Sequence, residues 1–385
     1  MTEPKPRLDC AATGPLFGAN AMKLGVFGLN VASAGALTTS PDRHRISWDQ
    51  NVRLARMAED AGFEAVVPFA RWRGFGGETN PWGESFETFT WAAGLAAATR
   101  RIALVATVNM MTMSPVAAAK QLSTIDHISH GRAVLNVVAG WMEIEMRMFG
   151  VGALGHDDRY AHGAEWMEAL YRLWTAEEPF DLRGRYITVE GGLQQPGNVQ
   201  LPRPPVMNAA FSPTGHAFAA RWADIAFISP NPDRPESAVE QVRALRAMAD
   251  ERGRDMQIWV ATSVAGAPTA EAARAYVAQY SGPEMDVGAV ENFTRLMMGG
   301  TAMPDDQRAA MLRHVAAHIG GFPLVGSYRD IADRIGLLAE AGVDGLCLTW
   351  MDYERGLPDF IANILPLIEK AGLRRPFVDG AGLAA

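Results

Sequence analysis

The sequence has only two cysteines and no long apolar run. Cys10 and Cys347 lie far apart among 385 residues, so the chain predicts neither a disulfide framework nor a cysteine-based metal site. The first part of the chain lacks the apolar core of a signal peptide, and no later stretch reaches the roughly 18 apolar residues that a membrane span needs. We therefore expect a cytoplasmic protein with no membrane partner.

Excess positive charge and the common motifs of nucleotide and hydrolytic chemistry are also missing. The formal net charge is −8 at pH 7, which argues against a general nucleic-acid partner. The chain has no GxxxxGK(S/T) phosphate loop, HExxH helix, GxSxG elbow or CxxC pair. Its eight histidines form no i, i+4 pair joined to a carboxylate, so we expect no bound metal. These absences weaken hydrolytic and NTP-driven functions.

The chain is rich in apolar residues, and these occur in two kinds of segment that alternate along the sequence. Hydrophobic residues make up 48% and charged residues 20% of the sequence, which allows a large core. Short β-rich runs alternate with longer amphipathic segments, a pattern that predicts parallel strands joined by helices. Eight such units favour an α/β fold of the (β/α)8 TIM barrel type over a doubly wound sheet, which usually has fewer strands.

The predicted elements have the following bounds. The strands are predicted at residues 23–28, 64–70, 102–108, 133–138, 205–211, 224–229, 257–265 and 345–350. The helices are predicted at residues 47–61, 86–99, 115–129, 159–175, 213–222, 236–252, 269–281, 328–341 and 357–371.

Two predicted connections are longer than a compact barrel needs. Residues 176–204 contain a predicted hairpin around FDLRGRYITVEG, and residues 282–325 are rich in Gly, Met and Pro. Long excursions of this kind are commonly lids, so we predict that the second is a mobile cover over a site. Residues 22–371 would then form a single barrel domain, with an N-terminal extension over 1–21 and a C-terminal tail over 372–385.

Polar side chains within two buried strands mark the place where we expect chemistry. Strand four reads AVLNVV before Gly140-Trp141, so Asn136 lies inside an apolar run. Thr107 lies in strand three, and alternation would place both side chains in the barrel mouth, where barrel enzymes have their sites. Such a pair would position a reactive oxygen species. It would equally satisfy a buried water or a backbone group, and spacing alone leaves both interpretations open.

Basic and aromatic residues in loops after the strands are candidates for binding a substrate. Arg71 and Arg73 flank Trp72 after strand two, and His44 lies between two arginines after strand one. A positively charged mouth of this kind would suit a sulfonate or another anion, although a solvated basic loop would look the same. Trp72 and Trp350 would add an apolar wall unless they are packing residues.

A linked series of motifs resembles a known family. The order TIDHISHGR, then NVVAGW, then DDRY is specific, and longer runs such as RWRGFGGETNPWGESFETF and FPLVGSYRDIADRIGLLAEAGVDGLCL accompany it. From Met22 to about Ile368 the chain resembles the bacterial-luciferase superfamily, especially the two-component, reduced-flavin-dependent monooxygenases of alkanesulfonates, dimethylsulfone and pyrimidines. The resemblance implies a barrel that binds FMN non-covalently as FMNH2. A separate NAD(P)H-dependent flavin reductase would supply it, and the barrel would form a homo-oligomer, a dimer or a tetramer.

The resemblance also implies which residues contact the flavin. Asn136 and Glu145 match contacts in and after strand four, and Ser212 matches a contact at the start of the helix after strand five. Arg159 and Tyr160 match an Arg-Tyr pair. A helix N-terminus together with an arginine and a tyrosine hydroxyl would suit the phosphate tail of FMN.

Two further matches and one mismatch concern the flavin ring, dioxygen and the substrate. Ala70 and Arg71 occupy the position after strand two that lies along the flavin ring, and the pyrimidine type has Lys where this chain has Arg71. Thr107 and Asn136 match the pair thought to hold dioxygen against the flavin. The alkanesulfonate enzymes have a mobile-loop Arg before a Gly-Gly pair, whereas this chain reads AAHIGGFPLVG there, with His318 and no Arg.

These matches predict an FMNH2- and O2-dependent monooxygenase of a two-component system. The first predicted substrate is a small organosulfonate, polar or sugar-like, whose carbon–sulfur bond is cleaved to release sulfite. A pyrimidine-type heterocycle is the alternative substrate. Two other classes stay open: an F420- or flavin-dependent redox enzyme of the same barrel, and a non-catalytic flavin-binding barrel.

Overall fold

Alternating strands and helices run through the computed structural model, which describes residues 14–152, 154–234, 236–298 and 304–377. The strands of these ranges are β1 Lys23–Phe27, β2 Ala65–Val67, β3 Ala103–Asn109, β4 Ala133–Val138, β5 Phe180–Arg183, β6 Thr188–Gly192, β7 Val206–Asn208, β8 Ile225–Ile228, β9 Gln257–Ala267, β10 Phe322–Ser327 and β11 Gly345–Thr349. The helices are α1 Trp48–Asp60, α2 Thr88–Ala98, α3 Pro115–Ser129, α4 Glu143–Met148, α5 His156–Thr175, α6 Pro213–Trp222, α7 Glu236–Asp250, α8 Ala270–Ser281, α9 Val287–Met298, α10 Asp305–His318, α11 Tyr328–Glu340, α12 Tyr353–Asn363 and α13 Leu365–Lys370.

The chain divides into two compact units, each built around parallel strands. The first contains Glu87–Ile228 and Val239–Trp259, and its strands follow the order β3-β4-β7-β8. The second contains Asn20–Phe86 and the chain from Val260 onward, and its strands follow the order β10-β9-β11-β1-β2. Parallel strands followed in turn by helices are the repeating unit of a (β/α)8 barrel.

The predicted elements are confirmed, with shifts at their ends and two corrections. All eight predicted strands form, and the predicted hairpin is the antiparallel pair β5–β6. The helix predicted over 357–371 is instead two helices that meet at Ile364, with Pro366 in the first turn of α13. A proline cannot donate a hydrogen bond inside a helix, so it favours a new start at this position.

A ninth parallel strand lies where the sequence indicated only a long excursion. Residues 282–325 contain α9, α10 and the start of β10, and β10 pairs with residues 262–267 of β9. Its sequence FPLVGS includes a proline and a glycine, which argue against a central strand and fit one that pairs along a single edge.

The start of this excursion is fixed to the loop after β2. The buried carboxylate of Asp286 accepts hydrogen bonds from the backbone N–H groups of Glu78, Thr79 and Ala289, and from the Thr79 hydroxyl. The Asn292 amide donates to the Phe75 carbonyl over 2.8 Å. Residues 286–292 are therefore an anchored extension of that loop, and a mobile cover stays a prediction for the rest of the segment.

The TIDHISHGR motif is explained by packing within the first unit. The buried guanidinium of Arg132 donates to the Thr99 hydroxyl and to the carbonyls of Ile102 and Ser129, among others. The Asp126 carboxylate accepts from the backbone and side chain of Gln200. A buried arginine and a buried aspartate are tolerated here because their hydrogen bonds are satisfied. The motif therefore stabilises the helix ends rather than supplying chemistry.

The predicted extension and tail fall largely outside the described residues. At their inner borders the Arg374 guanidinium donates to the Met22 carbonyl over 2.7 Å and forms a buried ion pair with Glu64, also at 2.7 Å. The domain boundaries stay predictions. None of the helices in the described ranges combines the length and the hydropathy that a bilayer span requires.

Candidate active site

Thr107 and Asn136 lie side by side on neighbouring strands, as the sequence predicts. They are register partners in the parallel pair β3–β4, with only 5% and 4% of their surfaces exposed. The Asn136 amide nitrogen Nδ2 donates to Thr107 Oγ1 over 3.2 Å. Asn136 Oδ1 is buried and has no hydrogen-bond partner within the described chain. An unpaired buried acceptor costs about 1–3 kcal/mol, so this atom is ready to receive a donor from a bound ligand.

The turn after β4 is shaped by a residue that sequence reasoning missed, Asn109. Its side-chain Oδ1 accepts from the backbone N–H of Met111 over 3.0 Å. Gly140 has φ +73°, and a Cβ added there would lie 2.6 Å from Asn109 Nδ2. Gly140 is therefore needed for both its left-handed conformation and its close approach to Asn109. The sequence signal was the Gly-Trp pair itself, which marked the break without showing its cause.

Glu145 is a buried acid in the first turn of α4, directly after this break. Met146 of the same short helix is also buried, whereas Ile144 and Met148 are exposed. The burial of Glu145 agrees with a side chain that faces the interior of the first unit. A contact between Glu145 and the flavin stays a prediction.

Tyr160 and Ser212, which lie far apart in sequence, meet around Gly215. Helix α5 begins at His156, so Tyr160 lies in its second turn. Ser212 caps α6, and its Oγ accepts from the Gly215 N–H over 3.1 Å. A Cβ added to Gly215 would lie 2.6 Å from the Tyr160 hydroxyl oxygen. The tyrosine ring packs on Phe218 with 5.5 Å between centroids.

This arrangement has the chemistry of an anion site. The start of α6 presents the positive end of the helix dipole. The partly buried Arg159 precedes Tyr160, and its Nε is buried without a hydrogen-bond partner in the part of the chain that the structure describes. Gly215 was missed by the sequence reasoning, and its signal was the Ser-x-x-Gly spacing at the helix start. The four residues together suit a phosphate group.

The predicted site residues are divided between the two units. The first unit holds Thr107, Asn136, Glu145, Arg159, Tyr160 and Ser212, and the second holds His44, Ala70, Arg71, Trp72, Arg73 and Trp350.

Arg71 in the second unit is held against an aromatic cluster. Its guanidinium carbon lies 4.9 Å from the ring centroid of Trp82, and its NH1 donates to the Ala70 carbonyl over 3.1 Å. Trp82 has φ +64° and stacks on Phe69 at 4.5 Å. A tryptophan in the left-handed region is strained, and the stacking holds it there. Arg71 is therefore fixed in orientation, although it remains a charged group beside the end of β2.

The four predicted substrate residues have two different environments. His44 is 2% exposed, shares a hydrogen bond of 3.1 Å with the Leu29 carbonyl and lies 4.4 Å from the Tyr353 ring. Trp350 is also buried and packs on Tyr353 at 5.5 Å. Trp72, by contrast, is 46% exposed, and Arg73 is exposed as well. Packing therefore accounts for the burial of His44 and Trp350, and a substrate role for any of the four stays a prediction.

The charge state of His44 corrects one expectation. Burial lowers the pKa of His44 to about 4, against the opposing effect of its hydrogen bond with the Leu29 carbonyl. The imidazole is therefore neutral at neutral pH, and it adds no positive charge to the predicted basic mouth.

The sequence is similar to flavin-dependent oxygenases over most of its length. The model of the family Bac_luciferase, luciferase-like monooxygenase, matches residues 22–345. The pyrimidine monooxygenase RutA of Acinetobacter baylyi is 32% identical over 356 residues, covering 90% of this chain and 95% of RutA. The FMNH(2)-dependent dimethylsulfone monooxygenase of Pseudomonas putida is 31% identical over 346 residues, covering 88% and 93%.

Solved structures agree in fold. Riboflavin lyase RcaE, crystallised with modified FMN and riboflavin, superposes with a TM-score of 0.83 at 24% identity and 94% coverage of both chains. The long-chain alkane monooxygenase LadA gives a TM-score of 0.82 at 19% identity, again with 94% coverage of both. These likenesses confirm the predicted (β/α)8 barrel.

Proposed function

Because the chain belongs to the luciferase-like monooxygenase family, we propose that it is the oxygenating component of a two-component system that uses FMNH2 and O2. The observation that carries the proposal is the buried pair of Thr107 and Asn136, with its unpaired Oδ1 atom. A few fixed polar groups in an apolar wall are what oxygen activation beside a reduced flavin requires. The two strands hold both side chains in place before any ligand arrives.

The residues around α6 fit the phosphate of FMN. Gly215 leaves room that a Cβ would fill, beside the Tyr160 hydroxyl and the Ser212 cap. Arg159 would supply charge-assisted hydrogen bonds, which are stronger than neutral ones. When bound, reduced FMN supplies the electrons that activate O2. The residues of this chain would anchor its tail, exclude water and offer the acceptor Asn136 Oδ1 to an N–H or O–H group of the bound ligand.

An organosulfur compound is the first substrate class that we propose. The organosulfonate predicted from the sequence would be cleaved at its carbon–sulfur bond, so its products would include sulfite. Arg71 and Arg73 support a site that accepts an oxyanion. A pyrimidine-type heterocycle is the second candidate, and it is favoured by the 32% identity to a pyrimidine monooxygenase.

The reduced flavin would come from a separate NAD(P)H-dependent reductase. This part of the proposal follows from the family resemblance. We propose the cytoplasm as the location, because NAD(P)H is available there and a free buried thiol such as Cys347 persists there.

A substrate screen tests the proposal. The purified protein is supplied with FMN, NADH and a generic flavin reductase, and oxygen uptake, sulfite and ring-opened products are measured on organosulfonates, dimethylsulfone and uracil. Substrate-dependent oxygenated product supports a monooxygenase. Hydride transfer from F420 without oxygen uptake would favour the redox alternative, and tight flavin binding without turnover would favour a non-catalytic barrel.

A further inference from the structure

His318 and Ser263 form a hydrogen-bonded pair that the proposed oxygen and flavin sites do not use. Ser263 lies in β9, and His318 ends α10. The Ser263 hydroxyl and His318 Nδ1 are 2.6 Å apart. The serine is 4% exposed, so its hydroxyl is removed from bulk water.

The pair lies level with the carboxyl end of β11 in the second unit, and Ser263 itself is in the middle of β9. The carbonyl of Thr262, next to Ser263, accepts from the hydroxyl of Thr349, the last residue of β11, over 2.9 Å. Ala317, next to His318, packs with Ala36 and Met351, which follow β1 and β11. Barrel enzymes bind their substrates at this end of the strands. His318 is therefore on the side of the fold where a substrate would arrive.

The hydrogen bond fixes which imidazole nitrogen carries the proton. His318 Nδ1 is the hydrogen-bond partner of the Ser263 hydroxyl within the described chain. We assign the hydroxyl as the donor to Nδ1, because a buried hydroxyl proton without an acceptor is costly. A neutral imidazole then has its proton on Nε2. His318 consequently offers one N–H donor directed away from Ser263.

The environment also keeps this imidazole uncharged. Burial, and secondarily His314 with its ring centroid 5.0 Å away, lower the pKa of His318 to about 3. A neutral donor hydrogen-bonds an oxygen acceptor without adding charge. An anion brought to the same place would lose its hydration without gaining an opposite charge.

We propose that His318, oriented by Ser263, contacts the substrate through Nε2–H and selects an uncharged group with an acceptor oxygen, such as a carbonyl or a sulfone, over a sulfonate. This inference rests on the proposed monooxygenase function, and it reverses the order of the two substrate candidates given there. A sulfone or a pyrimidine-type heterocycle is ranked ahead of the organosulfonate. It also gives a role to His318, which lies near the stretch in which the alkanesulfonate type has an arginine.

Ligand binding tests the inference without requiring turnover. The FMN-loaded protein, with 15N-labelled histidines, is titrated with uracil, dimethylsulfone and methanesulfonate. We expect His318 to show a protonated Nε2 at neutral pH, and at least one uncharged probe to shift that signal and bind more tightly than methanesulfonate. The inference is overturned if no probe moves the His318 signal, if Nδ1 carries the proton, or if methanesulfonate binds best.

Variants separate a contact with the substrate from a structural role. His318→Leu should weaken binding of the uncharged probe by about 10-fold, whereas His318→Gln, which keeps an N–H donor, should retain most of it. His318→Arg should shift preference toward methanesulfonate. FMN affinity should not change in any of them, and His127→Gln, at an exposed position on α3, is the matched control. Unchanged probe affinity in folded His318→Leu would overturn the inference.

The two proposals fail in different ways. Probe binding that depends on His318, without oxygenated product from any compound, would reject the proposed monooxygenase function and keep the binding site. Oxygenated product with equal activity in His318→Leu and the unsubstituted protein would reject the role of His318 alone.

Discussion

The Asn136 amide donates to the Thr107 hydroxyl across the β3–β4 pair, and the amide oxygen is left buried without a partner in the described chain. The pairing fixes the rotation of the Asn136 side chain, because Nδ2 is committed to Thr107. The acceptor Oδ1 is thereby held in one place. A buried polar atom kept unsatisfied is a cost to folding, and such costs are typical of sites that bind a ligand.

Asn136→Ala should abolish substrate oxygenation and leave FMNH2 binding measurable. It removes the amide that we propose as an oxygen- or flavin-positioning group, and loss of one preorganised polar group commonly lowers turnover by about 100-fold or more. Oxygenated product and hydrogen peroxide are measured together, with a rise in the peroxide share expected. Thr107→Ser, which keeps the hydroxyl, is the control. Full turnover in Asn136→Ala would remove Asn136 from the mechanism.

Arg159→Ala should weaken flavin binding. A hydrogen bond to a charged group is worth about 1.5–3 kcal/mol, so we expect the Kd for FMN to rise roughly 10- to 100-fold. Flavin fluorescence quenching measures the change. Arg172→Ala, on the same helix but near its C-terminus, should leave the Kd unchanged. Equal affinities for the two variants would show that Arg159 is not part of the phosphate site.

Gly215→Ala should weaken FMN binding, because the added methyl group changes the shape of the proposed phosphate site. The added methyl would lie 2.5 Å from the Ala210 Cβ and 2.6 Å from the Tyr160 hydroxyl oxygen, so the tyrosine must move away from the start of α6. We expect about a 10-fold loss of FMN affinity, comparable to the loss of one strong hydrogen bond. Gly336→Ala on α11 is the control, because a Cβ there meets no atom within 4 Å. Unchanged FMN affinity in folded Gly215→Ala would contradict the proposed phosphate site around Gly215.

Asp286→Asn should loosen the anchor between α9 and the loop after β2. Burial by itself would raise the pKa of Asp286, but the hydrogen bonds from Thr79, Ala289 and Glu78 together hold it below its usual value. A depressed folded-state pKa contributes stability above the unfolded value of about 3.9 and loses it as the pH falls through the folded value. We expect the variant to be less stable by about 1–2 kcal/mol at pH 7.

Urea unfolding followed by tryptophan fluorescence measures this difference. The gap in unfolding free energy between the two proteins should stay constant from pH 7 to about pH 5 and narrow below about pH 4. Asp233→Asn, at an exposed position, is the control with no expected gap. A gap that is independent of pH down to pH 3 would show that the charge of Asp286 does not strengthen the anchor.

Local patterns were sufficient to predict most of the fold. The eight predicted strands and the hairpin were recognised from apolar runs and turn residues, which depend on neighbours within a few positions. The strand β10 was missed because Pro323 and Gly326 contradict the usual strand composition. Strand β10 pairs with the C-terminal part of the long β9, and no local sequence pattern indicates a partner so distant in sequence.

The site was predictable where alternation or the family resemblance supplied the residues. Strand alternation placed Thr107 and Asn136 on one face, and register then made them neighbours. The resemblance supplied Tyr160 and Ser212. The resemblance did not identify Gly215, whose importance follows from the close approach of the Tyr160 hydroxyl to it. Nor did it supply the burial of His44, since a histidine between two arginines suggested a charged loop.

The sequence by itself determined the order of strands and helices, and through it the barrel, because backbone preference and apolar periodicity are local properties of the chain. Only the tertiary structure decided which polar groups meet and which of them stay uncharged. Ser263 and His318 are 55 residues apart, and burial by packing lowers the pKa of His44 to about 4. Burial and contact between distant segments set hydrogen-bond partners and charge states, so these features of the site became visible only in the folded chain.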